Sequence, residues 1–558
     1  MSYLDHPRLH FAGRYKTDPS TVNNLARHFS PDAGQPDPHP EWNWNPDGAH
    51  MWLFEGCTVR RVVYGDGSVC EAAAQDPILG AKVEGTNNPY PAKLADLDVE
   101  QQYVPSIWGL TLRVNTQAGP DFVEGDFRSI APFDMWYRAS TGPRSGDPDS
   151  AFFQSLLEGV AWSKELASRF LRELRDASPE ALSIKFVVDG YDKDPKSPNF
   201  NVGRVVGSVG PALAGEPAHF EAARLLRPQP GKSQFDGTPF FFAPFRLDAA
   251  KGRLWLDLGN SNTLKAIGGG PEDHGDLHLA VLPATGDPAL LGPVAYRQAG
   301  LYESTAGIQE FALSQDHLNL ALHHPLAIVE INQQGALAKT LLREDKGGKN
   351  LRADQFTFRL SPGETARVDL VATKFGQPAA GETIQLRLDP EILAKVELVV
   401  EGIPVGVPAE ALGFPAAVST AADGRASLVL ESGDPGKPRL EGWIDGQVYT
   451  LVYSWEGEEN PDPQCFLSVR VFDRHPLPDQ PTWKEQVGPI LQQYARLFPY
   501  MKRLLDLGDY PSVQQNREML KYFLTLPETH PGYMPVTRDL SRDKRALILK
   551  WIDNGAPE

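Results

Sequence analysis

Apolar and polar residues alternate with a period of two in several short segments of this 558-residue chain. The clearest segments are residues 57–64, 107–114 and 182–188, and the first runs into Gly65-Asp66-Gly67, a sequence typical of a hairpin turn. Such alternation predicts strands that bury one face. Glycine (50 residues) and proline (49 residues) are unusually frequent, which favours short strands joined by turns.

One segment of the first 345 residues has helical periodicity instead. Between residues 152 and 175, apolar side chains recur mostly at intervals of three and four, and Asp149 or Ser150 is a candidate cap before them. This pattern predicts one amphipathic helix. We therefore expect residues 1–345 to form a large, irregular β-rich region with one helix, either undivided or split into two subdomains.

Two further units follow this region. Short strands at the spacing of a sandwich occur between residues 356 and 474 and predict an immunoglobulin-like module. After the proline-rich linker 475–481, three segments of residues 483–558 show helical periodicity, which predicts a small helical C-terminal domain. The expected fold class is thus mainly β and multidomain.

Charge, hydropathy and cysteine content indicate which partners and which cellular compartment to expect for this protein. The net charge is −18, with acidic and basic residues scattered along the chain, which argues against a nucleic-acid partner. The sequence contains neither an apolar leader nor a run of eighteen apolar residues, so we expect no secretion signal and no membrane span. Cys57, Cys70 and Cys465 are few and odd in number, as is typical of reduced thiols in the cytoplasm.

The chain lacks common catalytic motifs, including phosphate loops, dinucleotide-binding glycine patterns, HExxH and GxSxG. His6 and His10 are four residues apart, but Pro7 between them predicts an extended segment. In such a segment these side chains lie about 13 Å apart and cannot share a metal directly. A single histidine such as His10 can be an axial haem ligand, a proton donor or a hydrogen-bonded core residue, and the pattern leaves these alternatives open.

Short separated pieces of the chain together resemble one family. They are residues 2–11, 195–200, Val206-Gly207, residues 224–228, the neighbourhood of Asn260, Ala306-Gly307-Ile308, and residues 496–501, 533–541 and 551–555. In this order they are similar to the N-terminal half of the violacein-pathway protein VioB and its indolocarbazole relatives, the chromopyrrolic acid synthases. Each piece is short, and their common order along the chain carries the resemblance.

The resemblance implies a haem-associated oxidative step that couples two indole-derived imines. It also implies that this chain corresponds to the leading half of a larger enzyme, without the ferritin-like helical domain that follows in those proteins. His10 matches the family pattern Pro-Arg-x-His-Phe and is the candidate catalytic residue, with haem as the candidate cofactor.

Two classes of function follow from this resemblance. The first is an oxidoreductase, or an oxidoreductase subunit, in natural-product biosynthesis. It acts on a small amino-acid-derived substrate, an indole or an imine, with a ferritin-like or haem-bearing partner subunit. The second is a non-catalytic β-rich binding or scaffold protein that docks a ferritin-like partner.

Overall fold

The mainly β, multidomain fold expected from the sequence is confirmed by the structure. The structure is a computed structural model that describes residues 3–22, 44–85, 90–98, 104–116, 119–141, 149–221, 224–228, 240–390, 405–439, 445–458 and 461–558. In these ranges a large sheet is followed by a second sheet, a pair of smaller sheets and a C-terminal group of helices.

The large sheet is built from the first strands of the chain. These are β1 (Arg8–Asp18), β2 (Met51–Val63), β3 (Val69–Cys70), β4 (Lys82–Gly85), β5 (Ala92–Ala95), β6 (Ser106–Trp108), β7 (Thr111–Asn115), β8 (Phe122–Phe127), β9 (Asp134–Trp136), β10 (Ser150–Trp162), β11 (Leu182–Asp189) and β12 (Val202–Pro211). Strand β1 pairs with both β12 and β2. The sheet therefore closes on itself through β1, β12, β11, β10, β8, β7, β4 and β2.

Aromatic side chains fill the interior of this closed sheet. Phe54 contacts both Phe11 and Phe186 edge to face, each with ring centroids 5.6 Å apart. A Cβ on Gly207 would lie 2.2 Å from the Phe11 ring, so glycine at this position makes room for the phenyl group. Because side chains on a strand alternate between faces, the neighbouring Val206 lies on the outer face, where it joins a second buried cluster.

The helix expected over residues 152–175 is wrong for most of its length. Residues 150–162 form strand β10, and a helix, α1 (Arg169–Ala177), begins only afterwards with Ser168 as its N-cap. The outer face of β10 is covered as well: Phe153 belongs to the core of the closed sheet, whereas Phe152 packs in the cluster outside it. Because both faces of β10 carry apolar residues, its sequence does not alternate between apolar and polar residues, and this pattern could not identify it as a strand.

The second sheet packs against this covered outer face. Its strands are β13 (Arg224–Pro228), β14 (Ala243–Asp248), β15 (Arg253–Asp257), β16 (Asp276–Val281), β17 (Ala289–Pro293), β18 (Ile308–Ala312), β19 (Leu326–Ile331) and β20 (Leu337–Arg343). Two short helices accompany them, α2 (Leu301–Thr305) and α3 (Gln315–His323). The first 345 residues thus hold three helices in the described ranges rather than the one expected.

Two five-stranded sheets pack face to face in the next region. The strands are β21 (Lys349–Ala353), β22 (Thr357–Leu360), β23 (Thr365–Lys374), β24 (Gln377–Pro378), β25 (Thr383–Leu388), β26 (Leu412–Gly413), β27 (Ala417–Ser419), β28 (Arg425–Ser432), β29 (Gln447–Trp455) and β30 (Phe466–Val471). Buried side chains of both sheets belong to one apolar cluster. The first of these strands begins at Lys349, earlier than the expected boundary at residue 356. The immunoglobulin-like assignment remains a prediction.

Helices dominate the C-terminal residues, as the periodicity indicated. They are α4 (Gly488–Leu497), α5 (Tyr510–Gln515), α6 (Arg517–Thr525) and α7 (Arg542–Asp553), with shorter turns at Trp483–Val487 and Pro499–Arg503. Their buried side chains form a separate apolar cluster around Trp551. None of the helices in the described ranges has the length and apolar character that crossing a bilayer requires.

The C-terminal helical unit is seated on the large sheet beside β6. The guanidinium carbon of Arg538 lies 5.0 Å from the centre of the Trp108 ring, a cation–π contact. Next to it, Gly109 has a positive φ of +67°, and a Cβ there would lie 2.6 Å from Pro531. Gly109 therefore allows the segment before α7 to approach the sheet.

We expect Gly109→Ala to lower the free energy of unfolding by about 2–4 kcal/mol, because a left-handed backbone strain adds to a clash with a proline ring. The measurement is urea unfolding followed by tryptophan fluorescence. Gly56→Ala is the matched control, because Gly56 has a similar φ of +62° but no atom within 4 Å of a Cβ. Equal losses in the two variants would show that the contact with Pro531 is unimportant.

Candidate functional site

A cleft of about 330 Å³ opens where loops of the second sheet meet the ends of β11 and β12. This volume lies in the range of small-molecule sites. Its wall includes Arg138, Arg204, Asn262, Tyr296 and Tyr302. The cleft thus combines guanidinium groups with aromatic rings.

Two strands place the first ion pair of the cleft. Asp189, the last residue of β11, lies directly opposite Arg204 on β12. The guanidinium donates to both carboxylate oxygens, from Nε to Oδ1 at 2.8 Å and from Nη2 to Oδ2 at 3.1 Å. This bidentate geometry fixes the plane of the guanidinium. The third nitrogen, Nη1, has no hydrogen-bond partner among the described residues.

Arg138 reaches the same carboxylate from the loop after β9. Its Nη1 donates to Asp189 Oδ2 at 3.1 Å and to the hydroxyl of Tyr302 at 2.9 Å, and its Nε donates to the carbonyl of Asn262 at 2.8 Å. Asp149 holds this loop by accepting from the backbone N–H groups of Arg138 and Ala139. Two guanidinium groups therefore share the carboxylate of Asp189, and Glu303, which also lines the cleft, places a second negative charge near Arg204.

Tyr302 lies between these two cations. The guanidinium carbons of Arg138 and Arg204 lie 5.1 Å and 5.0 Å from the centre of its ring. Burial, opposed by the positive charge of Arg138, raises the pKa of Tyr302 to about 12, so the phenol stays protonated at neutral pH. Burial by itself lowers the pKa of Arg204, but the charge of Asp189 outweighs this, and the net shift is upward. The side chain of Arg204 is 25% exposed and remains a permanent cation at the cleft.

The back of the cleft depends on two glycines in contact. A Cβ on Gly307, where φ is +79°, would lie 2.4 Å from the Cα of Gly259. Leu258 donates its backbone N–H to the Gly307 carbonyl at 3.0 Å, and Tyr302 donates its hydroxyl to the Gly259 carbonyl at 2.9 Å. The close approach of these two backbones thus sets the position of the tyrosine.

His10, the candidate catalytic residue of the sequence, lies elsewhere. It is on β1, opposite Ser208 and Arg61, and is 1% exposed. Burial, together with the nearby positive charges of Arg8 and Lys185, holds the pKa of His10 well below its ordinary value. Its Nδ1 has no hydrogen-bond partner among the described residues. His10 lines neither the cleft nor the second cavity described below, and its catalytic role remains a prediction.

Three of the pieces that carry the family resemblance pack together beside the cleft, whereas residues 496–501 and 533–541 lie in the C-terminal helical unit. Val206, Ala306 and Ile308 pack in one buried cluster with Tyr3 and Leu4 of the N-terminal segment. The cleft residues themselves were missed, because Arg138, Asp189, Arg204 and Tyr302 have no shared spacing in the sequence. A signal was nevertheless present, since the Asn260 neighbourhood and Ala306-Gly307-Ile308, two of the pieces named from the resemblance, include or adjoin the residues at the back of the cleft.

The N-terminal segment is also held by a group of carboxylates around one arginine. Arg246 contacts Asp5 at 3.0 Å, Glu216 at 3.2 Å and Glu221 at 3.0 Å. The second carboxylate oxygen of Glu221 is buried without a hydrogen-bond partner in the described ranges. Burial raises the pKa of Glu221 from its ordinary value to about 7.

The free energy of unfolding is therefore expected to depend on pH through Glu221. Between pH 4.5 and 7 the folded protein keeps a proton that the unfolded chain has released, so stability falls as pH rises through this window. The loss is on the order of 3 kcal/mol above pH 7. Glu221→Gln should raise the melting temperature at pH 8 and leave it nearly unchanged at pH 4.5, as measured by differential scanning calorimetry. An equal effect at both pH values would contradict this assignment.

A second, apolar cavity of about 70 Å³ lies between the loop before β2 and the C-terminal helices. Its wall includes His50, Tyr494, Phe498 and Met501.

In the described part of the chain, no three His, Cys, Asp or Glu side chains form a group that could hold a metal ion.

The chain is similar in sequence to a known synthase. Over 411 aligned residues it is 23% identical to dichlorochromopyrrolate synthase of Lentzea aerocolonigenes, and the alignment covers 71% of this chain. This similarity supports a relation to the chromopyrrolate synthases. The chain spans only about 38% of the length of that relative. No protein-family model matches the chain.

Similarities to solved structures are weak. A two-domain protein of unknown function from Bacteroides fragilis has a TM-score of 0.18 and 13% identity, and covers 23% of this chain and 46% of its own. The surface-layer protein SbsC, residues 31–844, has a TM-score of 0.15 and 10% identity, and covers 75% of this chain and 53% of its own. Scores this low say nothing about the function of the chain.

Proposed function

We propose that this chain is an oxidoreductase subunit in natural-product biosynthesis that binds an amino-acid-derived carboxylate in the cleft at Arg138 and Arg204. Its partner, a ferritin-like or haem-bearing protein, supplies the iron or haem. The similarity to a synthase whose named product is a pyrrole carboxylate supports the pathway. The single observation that carries the site is the pair of guanidinium groups sharing one carboxylate at the cleft.

Arg204 gives the cleft a partly exposed cation for an anionic ligand. Asp189 holds its guanidinium through Nε and Nη2, and the carboxylate of Glu303 lies near it; in this proposal a ligand carboxylate accepts from the remaining N–H groups. Hydrogen bonds between charged groups contribute about 1.5–3 kcal/mol each. The ring of Tyr296 lines the cleft and offers apolar surface for the body of the ligand, which favours an indole or a similar aromatic group.

We assign the iron or haem to the partner because of where His10 lies. An axial ligand needs open space beside its imidazole for the porphyrin, and His10 is enclosed between the two sheets, away from both cavities. The role of the chain in this proposal is to bind and orient the substrate.

The second candidate function is a non-catalytic scaffold that docks a ferritin-like partner. One observation favours it: Met519 and Tyr522, three residues apart on α6, are 39% and 54% exposed. Residues at this spacing share a helix face, so α6 presents apolar surface outwards in addition to its buried face.

Titration with indole-3-pyruvate tests the proposed function. We expect binding measurable by calorimetry, with tryptophol, which lacks the carboxylate, at least about ten-fold weaker because it makes no charged hydrogen bond. A visible absorption spectrum of the same preparation should show a Soret band only after a haem-bearing partner is added. Equal affinity for the two indoles would refute the carboxylate site. If this chain without a partner shows a stoichiometric Soret band that is lost in His10→Ala, this chain binds the haem and the assignment to a partner is wrong.

A further inference from the structure

Lys185 is a fully buried lysine that the cleft described above does not use directly. It lies on the outer face of β11, four residues before Asp189 and on the same side of the strand. Its ammonium group donates to Asp257 Oδ1 at 2.9 Å and to the carbonyl of Ala306 at 2.6 Å. Its side chain is 0% exposed, so it cannot react with a ligand.

The two partners of Lys185 belong to the two segments that form the back of the cleft. Asp257 Oδ1 also accepts from the backbone N–H of Gly259 at 2.8 Å, and Asp257 Oδ2 accepts from the hydroxyl of Tyr3 at 2.9 Å. Ala306 directly precedes Gly307. The lysine thus links residues 257–259 to residues 305–307, which are not covalent neighbours.

The fit around the ammonium group is tight. A Cβ on Gly259 would lie 2.7 Å from Lys185 Nζ and 2.8 Å from the Ala306 carbonyl oxygen. The same glycine contacts Gly307 and accepts the hydrogen bond of Tyr302 through its carbonyl. Movement of Ala306 away from Lys185 would also move Gly307 and change its contact with Gly259. The Gly259 carbonyl, which accepts the hydrogen bond that holds Tyr302 beside Arg138, would then shift as well.

We propose that Lys185 is a positioning residue of the cleft, which acts by holding the Ala306 carbonyl and thereby the Gly259–Gly307 contact behind Tyr302 and Arg138. The inference rests on the proposed function in one respect, since it treats the cleft as a carboxylate site. The simpler alternative is that Lys185 only neutralises the buried charge of Asp257.

Charge removal separates these two roles. Lys185→Met alone leaves Asp257 ionised and buried, which should lower the melting temperature strongly. The double variant Lys185→Met with Asp257→Asn removes both charges and keeps an oxygen that accepts from Gly259. The double variant should regain most of the stability that Lys185→Met loses, whichever of the two roles Lys185 has. The hydrogen bond to the Ala306 carbonyl, which the proposal requires, is then missing, and so is the carboxylate oxygen that accepts from the Tyr3 hydroxyl. Asp257→Asn alone also lacks that oxygen but keeps Lys185 at the Ala306 carbonyl, so the comparison of this variant with the double variant isolates the Ala306 bond.

The experiment compares binding and local opening in the full chain. For the double variant we expect the Kd for indole-3-pyruvate to rise about ten-fold, as is typical when a supporting contact misplaces a binding group. Backbone hydrogen exchange in residues 295–309 should be faster than in the wild type. Lys193→Met, which removes one exposed charge from the loop after β11, should leave both measurements unchanged.

The outcomes distinguish the two proposals. If the double variant binds and exchanges like the wild type, Lys185 is only the counter-charge of Asp257 and the inference is overturned. If the wild type fails to bind indole-3-pyruvate, the proposed function fails, and the exchange of residues 295–309 still decides whether Lys185 positions the back of the cleft.

Discussion

Asp98→Asn is expected to lower the free energy of unfolding by about 3–5 kcal/mol, because it removes the carboxylate that binds the buried guanidinium of Arg439. Asp98 follows β5 at the edge of the large sheet and is 0% exposed. Arg439 binds both of its carboxylate oxygens, and Arg470 of β30 lies 3.5 Å from Oδ1. The carboxylate therefore joins the large sheet to the paired sheets that follow.

The backbone around Asp98 strengthens this connection. Arg470 also donates to the carbonyl of Leu97 at 3.1 Å and to the carbonyl of Asp445 at 2.6 Å. Without the carboxylate, Arg470 stays buried because these two hydrogen bonds hold it in place, and Arg439 loses the acceptor that binds two of its nitrogens. Uncompensated buried charge is one of the few causes of a loss this large.

Urea unfolding and scanning calorimetry would measure this effect. The matched control is Glu158→Gln, which removes one carboxylate from an exposed pair with Arg128 whose side chains are 47% and 45% accessible. Exposed pairs contribute little to stability, so this control should unfold like the wild type. A similar small effect of Asp98→Asn would mean that the contact between the two regions does not depend on this ion pair.

The second large effect is expected at Arg204. We expect Arg204→Gln to weaken the binding of indole-3-pyruvate about ten- to one-hundred-fold, because a charged hydrogen bond of about 1.5–3 kcal/mol is lost. Asp189 keeps its contacts with Arg138 and the Tyr302 hydroxyl in this variant, so the closed sheet should remain folded. Calorimetric titration gives the affinity, and far-ultraviolet circular dichroism confirms the fold.

Arg14→Gln is the control for Arg204→Gln. Arg14 on β1 is the cross-strand neighbour of Arg204, but it pairs with Glu55 at 2.9 Å and does not line the cleft. The two variants make the same change of charge at adjacent positions of one sheet. If they weaken binding equally, the effect is long-range electrostatics, which added salt would screen, and Arg204 does not contact the ligand.

Local patterns anticipated several strands, the turns between them and the helical end of the chain. The strand over residues 182–188 is confirmed as β11, and the polar loop after it separates β11 from β12. The helical periodicity after residue 483 is confirmed too. These elements follow from interactions between residues near each other in the chain, which a sequence pattern records directly.

The cleft could not be anticipated in this way. Asp189 and Arg204 meet because β11 and β12 pair in one register, and Arg138 and Tyr302 reach them from loops far away in the chain. A pattern of spacing cannot record such contacts, because each depends on how whole sheets are placed. The resemblance pieces came nearest, since Ala306-Gly307 and the Asn260 neighbourhood are required by the close backbone contact behind the cleft.

The sequence by itself determined a mainly β chain with a helical end, and a relation to the chromopyrrolate synthases that the comparison supports. Only the tertiary structure decided that residues 150–162 are a strand and that two arginines share one carboxylate in a cleft. The physical reason is the same in both cases. The second sheet packs on the closed one and so buries both faces of β10, which removes the alternation of apolar and polar residues. The same packing brings together charged residues that are far apart in the chain, and their spacing in the sequence does not indicate this contact.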